Sequence, residues 1–321
     1  MNDIYEKMNQ RGRDRKPFLF GIDFEQKESF FIEDPLESRD LLFHINGTTN
    51  AATETAGCLD APQLTALAPD REHYENGFAV VRGGLLRGDS FLLNLTSRTE
   101  VSCNLSLKDI FCRSTAPYRI YWPGRFVCFS PESFVKIQGR RISTFPMKGT
   151  IDATLPEAER QLMEDYKETC EHYTIVDLMR NDLNRVAEQV RVDRFRYVDH
   201  IRTQKGEILQ TSSEVSGLLS EDWNCHLGDI FQTLLPAGSI SGAPKTATCR
   251  LIREAEQMDR GFYTGVFGYF DGENLDSAVM IRFIEKEGNR LFFRSGGGIT
   301  VNSRCEEEYR EILEKIYLSF Q

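Results

Sequence analysis

The sequence predicts an α+β protein, because strand-like segments come in runs and helix-like segments in blocks. Runs rich in β-branched and aromatic residues, separated by Gly and Pro, are typical of antiparallel strands. They include FLFGIDF, SFFIED, SFLLNLT, YRIYW and RFVCFS. Helical periodicity marks a long segment after Pro156 and another from about Glu306. This order does not match the strict strand–helix alternation of a doubly wound parallel sheet.

The elements follow one another along 321 residues. Residues 1–16 are mostly charged or polar and predict a polar arm, which the first two strands follow. Residues 60–77 contain two prolines among polar residues and favour a connection. From 78 to 145 the runs, beginning with FAVVRGGLL, predict antiparallel strands. We therefore divide the chain into a short region of residues 1–76, which contributes strands, and a main region of residues 77–321.

The long helix after Pro156 has apolar side chains at helical spacing. The residues on this arc are Leu162, Tyr166, Cys170 and Tyr173. We expect the arc to face the core. Further along, GFYTGVFGYF, AVMIRFI and RLFFR predict strands that are mixed with helices.

Charge and hydropathy exclude several classes of partner. Lys and Arg total 39 against 49 Asp and Glu, so a net charge of -10 gives no general basic surface for nucleic acid or an anionic membrane. No segment approaches the ~18 apolar residues of a membrane span, and the amino terminus lacks the apolar core of a signal peptide. The eight cysteines form no CxxC pair and are expected to be reduced core residues. We expect a cytoplasmic protein.

Lys148 lies in the hexapeptide FPMKGT, between a proline and a glycine. Pro146 fixes its own φ angle, and Gly149 allows the backbone to approach a ligand closely. A lysine amine attacks only in its neutral form, so a nucleophilic lysine needs burial or a neighbouring cation. The hexapeptide alone leaves two interpretations open, a solvated turn lysine and a covalent nucleophile.

Two predicted helices have glutamates three residues apart. Glu168 and Glu171 lie about 60° apart on the long helix. On the last helix, Glu308, Glu311 and Lys315 fall within about 60° of one another. Four carboxylates brought together repel unless a cation sits among them, and all-oxygen ligands suit Mg²⁺. Either pair taken alone is also typical of a solvated helix face.

Two glycine-rich stretches do not match nucleotide-binding motifs. LLPAGSISGAPKT lacks the spacing of a P-loop, and SGGG is not GxGxxG. The run Gly296, Gly297 and Gly298 predicts a tight turn, although it could also present bare N–H groups to a carboxylate. Arg282 interrupts the apolar run AVMIRFI, and a guanidinium in a buried strand needs an anionic partner, either structural or a substrate.

Taken in order, these segments resemble the chorismate-utilising enzymes, and most closely the aminodeoxychorismate synthase component I group. The motifs are FSPESF, FPMKGT, IVDLMRNDLNRV, GSISGAPK, GFYTGVFGYF, MIRF and SGGGI, followed by EEEYRE. The resemblance runs from about Gly77 to Lys315, so residues 77–321 are the expected chorismate-binding catalytic region and residues 1–76 a shortened amino-terminal region. It implies two stacked, mostly antiparallel β-sheets flanked by helices in one compact unit.

The resemblance also implies roles for individual side chains. Glu132, the glutamate of SPE, corresponds to the general acid of the family, and Lys148 to the covalent nucleophile. The ligands of a Mg²⁺ ion correspond to Glu168, Glu171, Glu308 and Glu311. The substrate contacts correspond to Arg282, Tyr263, Ser239, Gly296, Gly297 and Gly298, with Lys315 helping to balance charge.

Two positions distinguish the chain from its relatives. Isochorismate and salicylate synthases have a water-activating lysine where this chain has Asn94, and an amide cannot act as a base. Anthranilate synthases have alanine where this chain has Lys148. The combination implies conversion of chorismate and ammonia to 4-amino-4-deoxychorismate, for p-aminobenzoate and folate biosynthesis. The alternatives are an anthranilate synthase component I and a non-catalytic chorismate-binding regulatory subunit.

The resemblance also bears on partners. No cysteine lies in a glycine-flanked nucleophile turn, so ammonia is expected from a separate glutamine amidotransferase subunit. The short amino-terminal region puts in doubt a tryptophan site and the usual docking surface for that subunit. Gln210 stands where many relatives have histidine, so no histidine role is implied there.

Overall fold

The computed structural model describes residues 2–52, 61–67, 70–203, 206–318 and 320, and it confirms the α+β prediction. The strands are β1 Phe18–Ile22, β2 Ser29–Glu33, β3 Leu42–Ile45, β4 Thr48–Thr49, β5 Leu64–Leu67, β6 Leu93–Cys103, β7 Tyr118–Trp122, β8 Phe126–Ser130, β9 Ser133–Gln138, β10 Arg141–Thr144, β11 Met147–Asp152, β12 Glu188–Thr203, β13 Gly206–Leu218, β14 Val266–Phe270, β15 Leu275–Val279, β16 Phe283–Glu287 and β17 Arg290–Ile299. The helices are α1 Asn2–Arg13, α2 Arg71–Arg87, α3 Leu107–Arg113, α4 Ala158–Glu164, α5 Tyr166–Leu183, α6 Leu227–Leu234, α7 Gly238–Ser241, α8 Lys245–Glu256 and α9 Cys305–Glu314.

The strands form two sheets. The first has the order β11-β13-β10-β9-β15-β14-β1-β2, with β12 paired to β13, and the second has the order β4-β3-β7-β8-β16-β17-β6-β5. Neighbouring strands in both sheets run antiparallel. The predicted pair of antiparallel sheets flanked by helices is therefore confirmed.

The inner faces of the two sheets pack on each other through aromatic side chains. Phe126 of β8 and Phe283 of β16 stack with ring centroids 4.7 Å apart, and both belong to a buried cluster that includes Phe267 of β14. A second and larger cluster packs helices on the other face of the first sheet, where Phe20 of β1 meets Phe231 of α6 at 4.7 Å. Burial of this apolar surface is the main stabilising contribution.

The chain crosses from the first sheet to the second between β15 and β16. Arg282 lies on this crossover with a φ angle of 53° and is half-buried. The expectation that it lies inside a buried strand is therefore wrong. The apolar run AVMIRFI contains two strands of different sheets, and the break between them places the guanidinium at the junction.

The segment predicted as a connection and a strand instead forms β5 and α2. The side chain of Asp70 caps α2 by accepting from the backbone N–H of His73, and Gly88 ends it with a φ angle of 80°. The second glycine of VRGGLL marks a helix contact, because a Cβ on Gly84 would lie 2.4 Å from the Leu251 side chain of α8. Residues 60, 68 and 69 of this prediction lie outside the described residues.

The predicted polar arm is also wrong, because residues 2–13 form α1. Ile4, Tyr5 and Met8 are buried and pack against α6. The three apolar side chains lie close to one another on the helix surface, so a short stripe suffices to dock an otherwise polar segment.

The apolar arc predicted for the long helix does not face the core. The helix is interrupted at Asp165, whose side chain caps α5 by accepting from the N–H of Glu168. Of the arc, Leu162 in α4 is buried, whereas Tyr166 and Tyr173 are 83% and 59% exposed and Cys170 is also exposed. The new start of α5 turns a different face inward. This face presents Ile175, Val176, Met179 and Leu183.

The predicted division of the chain falls at residues 76–77, inside α2. Strands from both sides of that position share the first sheet, where β1 pairs with β14. The described cysteines are free. Cys128 is buried, and Cys103, Cys249 and Cys305 are partly buried against the core clusters. Cys112 and Cys170 are exposed, so the expectation of core cysteines is wrong for these two; Cys58 lies outside the described residues. No helix in the described ranges is long and apolar enough to cross a membrane.

Candidate active site

Lys148 is placed by an irregularity in β11. The pairing of β11 with β13 shifts register between Lys148 and Thr150, and Gly149 occupies the shift with a φ angle of 78°. Such a bulge redirects a side chain relative to a regular strand, and glycine adopts the required angle without strain. A Cβ on Gly149 would lie 3.0 Å from a carboxylate oxygen of Glu168. The bulge therefore places Lys148 beside the acidic edge of α5.

The amine of Lys148 lies between an acid and a glycine. Its Nζ is 3.6 Å from a carboxylate oxygen of Glu171, and the side chains of Lys148 and Glu171 are 25% and 14% exposed. A Cβ on Gly298 would lie 3.1 Å from the same Nζ. The amine therefore reaches across from the first sheet to β17 of the second.

The glycine run forms the floor of this site. Gly296, Gly297 and Gly298 belong to β17 and pair with β6, so the tight turn predicted for them is wrong. The side chains around them come from three elements, β6, α9 and β11. A Cβ would meet Asn94 Oδ1 at 2.5 Å over Gly296, Glu308 Oε2 at 3.5 Å over Gly297, and Lys148 Nζ at 3.1 Å over Gly298. A bare strand thus leaves room for a ligand among these groups.

The two edges of this strand segment differ. The carbonyl oxygen of Gly296 bonds to a lysine side chain, and residues two apart direct their backbone groups to the same edge of a strand, so those of Gly296 and Gly298 point away from β6. The Nζ of Lys315 donates to the carbonyl oxygen of Gly296 at 2.8 Å. The same nitrogen pairs with Glu311 at 2.6 Å, which ties the end of α9 to the glycine strand. The outward N–H groups are suited to bind an anion.

Asn94 has an unsatisfied acceptor in the site. Its Oδ1 is buried, lies next to Gly296 and has no hydrogen-bond partner in the structure. A buried acceptor without a partner is costly, and a ligand that donates a hydrogen bond would remove this cost.

Glu132 is positioned by the loop between β8 and β9. One of its carboxylate oxygens accepts a hydrogen bond from the Ser239 hydroxyl at 3.0 Å. Burial raises the pKa of Glu132, against the Ser239 hydrogen bond and the charges of Lys148 and Arg282, which lower it. A raised pKa keeps the carboxyl protonated over a wider pH range, as a general acid requires.

Tyr263 and Arg282 border the site from the crossover side. Tyr263 is 3% exposed, and burial raises the pKa of its hydroxyl, so it remains a neutral donor. The charge of Arg282 acts on both Tyr263 and Glu132, and its guanidinium contacts the Tyr317 hydroxyl at 3.3 Å. Arg282 is thus available at the rim to an anionic group.

The four glutamates of α5 and α9 interact electrostatically. Burial and the neighbouring Glu171 raise the pKa of Glu168. Burial, Glu311 and Glu171 likewise raise the pKa of Glu308, which is 4% exposed. Burial alone would raise the pKa of Glu311, but Lys315 and other lysines hold it below its ordinary value. The two ExxE pairs therefore lie close enough to act on one another and form one acidic cluster.

The acidic cluster contains a lysine that the sequence analysis missed. Burial would lower the pKa of Lys167, yet all four carboxylates together raise it. Lys167 directly precedes Glu168 in α5, and consecutive residues point about 100° apart around a helix, so the helical spacing alone gave no reason to select it.

The donor set fits a hard divalent cation by type, because it consists of carboxylates and part of it is buried. As the side chains lie, two of the four acids are engaged by Lys148 and Lys315. No group of three His, Cys, Asp or Glu side chains in the described part of the chain converges closely enough to hold a metal ion. A cation would have to draw these carboxylates together.

Two further polar groups that the sequence did not single out support the site from behind. His172 of α5 is fully buried, and its Nε2 lies 2.6 Å from the Ser213 hydroxyl in β13, the strand paired with Lys148. Lys245, the first residue of α8, pairs with Asp182 of α5 at 2.9 Å and so holds the segment that follows α7, the helix of Ser239, against α5. His172 and Lys245 are recognised only by the polar partners they meet in the folded protein, and sequence spacing does not predict those partners.

The model of the chorismate binding enzyme family matches residues 19–320. The chain belongs to this family. It is 53% identical over 321 residues to an uncharacterized PabA-like protein of Pasteurella multocida, a match that spans 99% of this chain and 98% of that protein.

More distant relatives of this family member have named activities. It is 31% identical over 279 residues to aminodeoxychorismate synthase component 1 of Bacillus subtilis, covering 82% of this chain and 57% of that protein. The structure of the menaquinone-specific isochorismate synthase of Escherichia coli matches with a TM-score of 0.73 at 16% identity, over 98% of this chain and 80% of that one. The likeness to that structure supports the fold. The two relatives are named for different reactions, so membership of the family identifies a chorismate-utilising enzyme but does not identify its product.

Proposed function

We propose that this family member is an aminodeoxychorismate synthase component I, which converts chorismate and ammonia to 4-amino-4-deoxychorismate. The observation that supports it is the pairing of Lys148 and Asn94 across one glycine strand, within reach of the same ligand. A lysine offers a nucleophile, and an amide offers no base to activate water. The matched aminodeoxychorismate synthase of Bacillus subtilis is consistent with this choice.

The first step joins Lys148 to the substrate. The neutral Nζ attacks ring carbon 2, the two ring double bonds each shift by one position, to C1=C6 and C4=C5, and the bond from carbon 4 to its hydroxyl breaks. Glu132 gives its proton to the departing hydroxyl, which leaves as water. The proton that Lys148 must first lose can pass to the adjacent carboxylate of Glu171.

Ammonia completes the exchange. It adds at carbon 4 while both ring double bonds return to their original positions, and the bond between carbon 2 and Lys148 breaks. The amine of Lys148 is restored, and the ammonium formed at carbon 4 loses one proton to a base such as the Glu132 carboxylate, which becomes protonated again. The balance is one chorismate and one ammonia consumed, and one aminodeoxychorismate and one water formed.

The remaining site residues bind and orient the dianionic substrate. Gly296 and Gly298 offer outward N–H groups to a carboxylate, and Arg282, Tyr263 and Ser239 lie where they can contact the rest of the molecule. Mg²⁺ is expected among Glu168, Glu171, Glu308 and Glu311. When bound, it would offset the substrate's charge and fix its orientation.

The proposal implies partners and a pathway. We expect ammonia from a separate glutamine amidotransferase subunit, and the PabA-like name of the Pasteurella relative is consistent with such a complex. The product would lead to p-aminobenzoate and folate in the cytoplasm.

The test is incubation of the purified chain with chorismate, Mg²⁺ and ammonium, with products separated and identified by mass. Formation of aminodeoxychorismate supports the proposal. Anthranilate or isochorismate as the main product would contradict it, and chorismate binding without turnover would indicate a regulatory subunit. With ammonia withheld, the peptide containing Lys148 should gain the mass of the dehydrated substrate, and wild-type enzyme that gains none would refute the covalent step.

A further inference from the structure

Glu256 and Arg260 form a fully buried ion pair beside the active site. Glu256 is the last residue of α8, and Arg260 follows in the next loop. The Nε of Arg260 donates to one carboxylate oxygen at 2.9 Å and its NH2 to the other at 2.6 Å. The side chains are 3% and 0% exposed. A bidentate pair of this kind is rigid, and its burial is costly unless the remaining hydrogen bonds are also made.

Two further hydrogen bonds of the pair go to the backbone of β6, and the NH1 of Arg260 donates to the Thr264 hydroxyl at 3.5 Å. The NH2 of Arg260 donates to the carbonyl oxygen of Asn94 at 2.5 Å, and the N–H of Thr96 donates to Glu256 Oε1 at 2.8 Å. Residues two apart direct their backbone groups to the same edge of a strand. The ion pair therefore supplies one donor and one acceptor in the positions that a neighbouring strand would use.

This edge has no strand partner at Asn94–Thr96 within the described residues. β5 pairs with β6 only from Glu100 to Cys103. The opposite edge of β6 pairs with the glycine strand, Asn94 facing Gly298 and Thr96 facing Gly296. The ion pair thus binds β6 at Asn94 and Thr96 on the edge opposite the glycine strand, while the Asn94 side chain lies over Gly296.

We propose that the Glu256–Arg260 pair is a positioning element for the ammonia-dependent step, acting through Asn94. The unsatisfied Oδ1 of Asn94 is an acceptor suited to an N–H donor such as ammonia, and it lies beside Gly296 only while this strand segment is held in register. The inference rests on the proposed function, because it takes ammonia as the second substrate. Glu256 and Arg260 touch no reacting atom and act through the strand.

Arg260→Lys is the decisive variant. Lysine keeps the charge but lacks the planar fork, so a single ammonium cannot hold both Glu256 and the Asn94 carbonyl in this geometry. We expect the KM for ammonia to rise at least about tenfold, while the KM for chorismate changes less than about threefold, because a small displacement of a positioned group costs rate steeply. Raising the ammonium concentration should recover turnover.

Glu254→Gln is the matched control. Glu254 lies on the same helix, and its pair with Arg250 has the same i,i+4 spacing but is exposed, with side chains 57% and 68% exposed. It should leave both KM values unchanged. All rates are expressed per folded molecule, with the folded fraction measured by circular dichroism. A variant that merely folds less well loses total rate in proportion to its folded fraction but keeps its KM values.

Hydrogen exchange gives a second measurement that does not depend on turnover. The Thr96 amide should exchange faster in Arg260→Lys and in Glu256→Gln than in wild type, since its acceptor is disturbed in both. An unchanged KM for ammonia in Arg260→Lys, or a loss only in proportion to the folded fraction, would overturn the positioning role. The identity of the wild-type product separately decides the proposed function, and an anthranilate product would refute that function while leaving the ammonia measurement valid.

Discussion

The amine of Lys148 and the carboxylate of Glu171 lie 3.6 Å apart at the junction of the two sheets. The contact is consistent with two roles for Lys148. The lysine can be a counter-ion for the acidic cluster, or it can be a nucleophile whose proton is removed by the Glu171 carboxylate. Arginine distinguishes them, because it keeps the positive charge and cannot lose its proton to attack.

Lys148→Arg is expected to keep the fold and lose the activity. The ion pair with Glu171 is preserved, so thermal unfolding should change little, while the rate of aminodeoxychorismate formation should fall by at least about 10²-fold. Lys148→Ala should lose as much activity. Lys7→Ala, at an exposed position of α1 paired with Asp3, is the control and should have no effect. Retention of turnover by Lys148→Arg would show that the lysine serves as a charge alone.

Ser239→Ala should shift the pH dependence of kcat/KM. The Ser239 hydroxyl donates to the Glu132 carboxylate and stabilises its charged form, which lowers the pKa of Glu132 against the larger effect of burial. Removing the hydroxyl therefore raises this pKa further. A general acid works in its protonated form, so the fall in kcat/KM on the alkaline side should move to higher pH.

The measurement is the pH at which kcat/KM falls on the alkaline side, and it does not depend on the absolute rate of the variant. Ser102→Ala, at an exposed position of β6, should leave the limb where it is in the wild type. A limb that moves to lower pH in Ser239→Ala would exclude Glu132 as the acid.

Glu311→Gln should weaken the dependence on Mg²⁺. Removing one carboxylate charge from the acidic cluster reduces its attraction for a divalent cation, and the Mg²⁺ concentration at half-maximal activity should rise roughly tenfold or more. Glu314→Gln, an exposed position on the same helix, is the control. A titration of the Glu311→Gln enzyme that superimposes on the wild type would place the metal elsewhere.

Alanine at Gly296 and at Gly297 should have different effects on stability. A Cβ on Gly296 would lie 2.5 Å from Asn94 Oδ1 and 3.0 Å from Thr96 Cγ2, so we expect a loss of about 1–3 kcal/mol from overpacking. A Cβ on Gly297 has ordinary contacts, 3.5 Å from Glu308 Oε2, so stability should change by less than about 1 kcal/mol.

Gly297→Ala should nevertheless bind chorismate less well, since the added methyl group projects into the space between α9 and the strand. We expect a KM for chorismate raised roughly tenfold, and chemical denaturation measures the stability of both variants. A Gly297→Ala enzyme with normal KM would show that the glycine strand is not the floor of the substrate site.

The sequence predicted the strands and the acidic pairs because these depend on local periodicity. The β-branched and aromatic runs became strands of both sheets, and the spacing of Glu168 and Glu171 on one helix edge survives in the structure. Where a sequence pattern was compatible with both a strand and a helix, tertiary contacts determined which one formed. Gly84 in FAVVRGGLL admits Leu251 of a packed helix, which no local propensity shows.

Other errors came from single residues that begin or break an element. Asp165 restarts the helix at α5 and leaves Tyr166 and Tyr173 on the surface, although their spacing is that of a buried stripe. Arg282 lies at a change of sheet, so a continuous apolar run concealed two strands. The Glu256–Arg260 pair could not be linked to the site from the sequence, because its partners in β6 are backbone groups about 160 residues away.

That pair has a consequence for how the chain avoids self-association. An unpaired strand edge can recruit a strand of another molecule, and natural proteins cover, charge or shorten such edges. Here the edge at Asn94–Thr96 is closed by two charged side chains that arrive with α8, and not by a strand. Until α8 docks, this stretch of β6 remains open to other chains, so substitutions that delay docking should favour aggregation during folding even where the folded enzyme tolerates them.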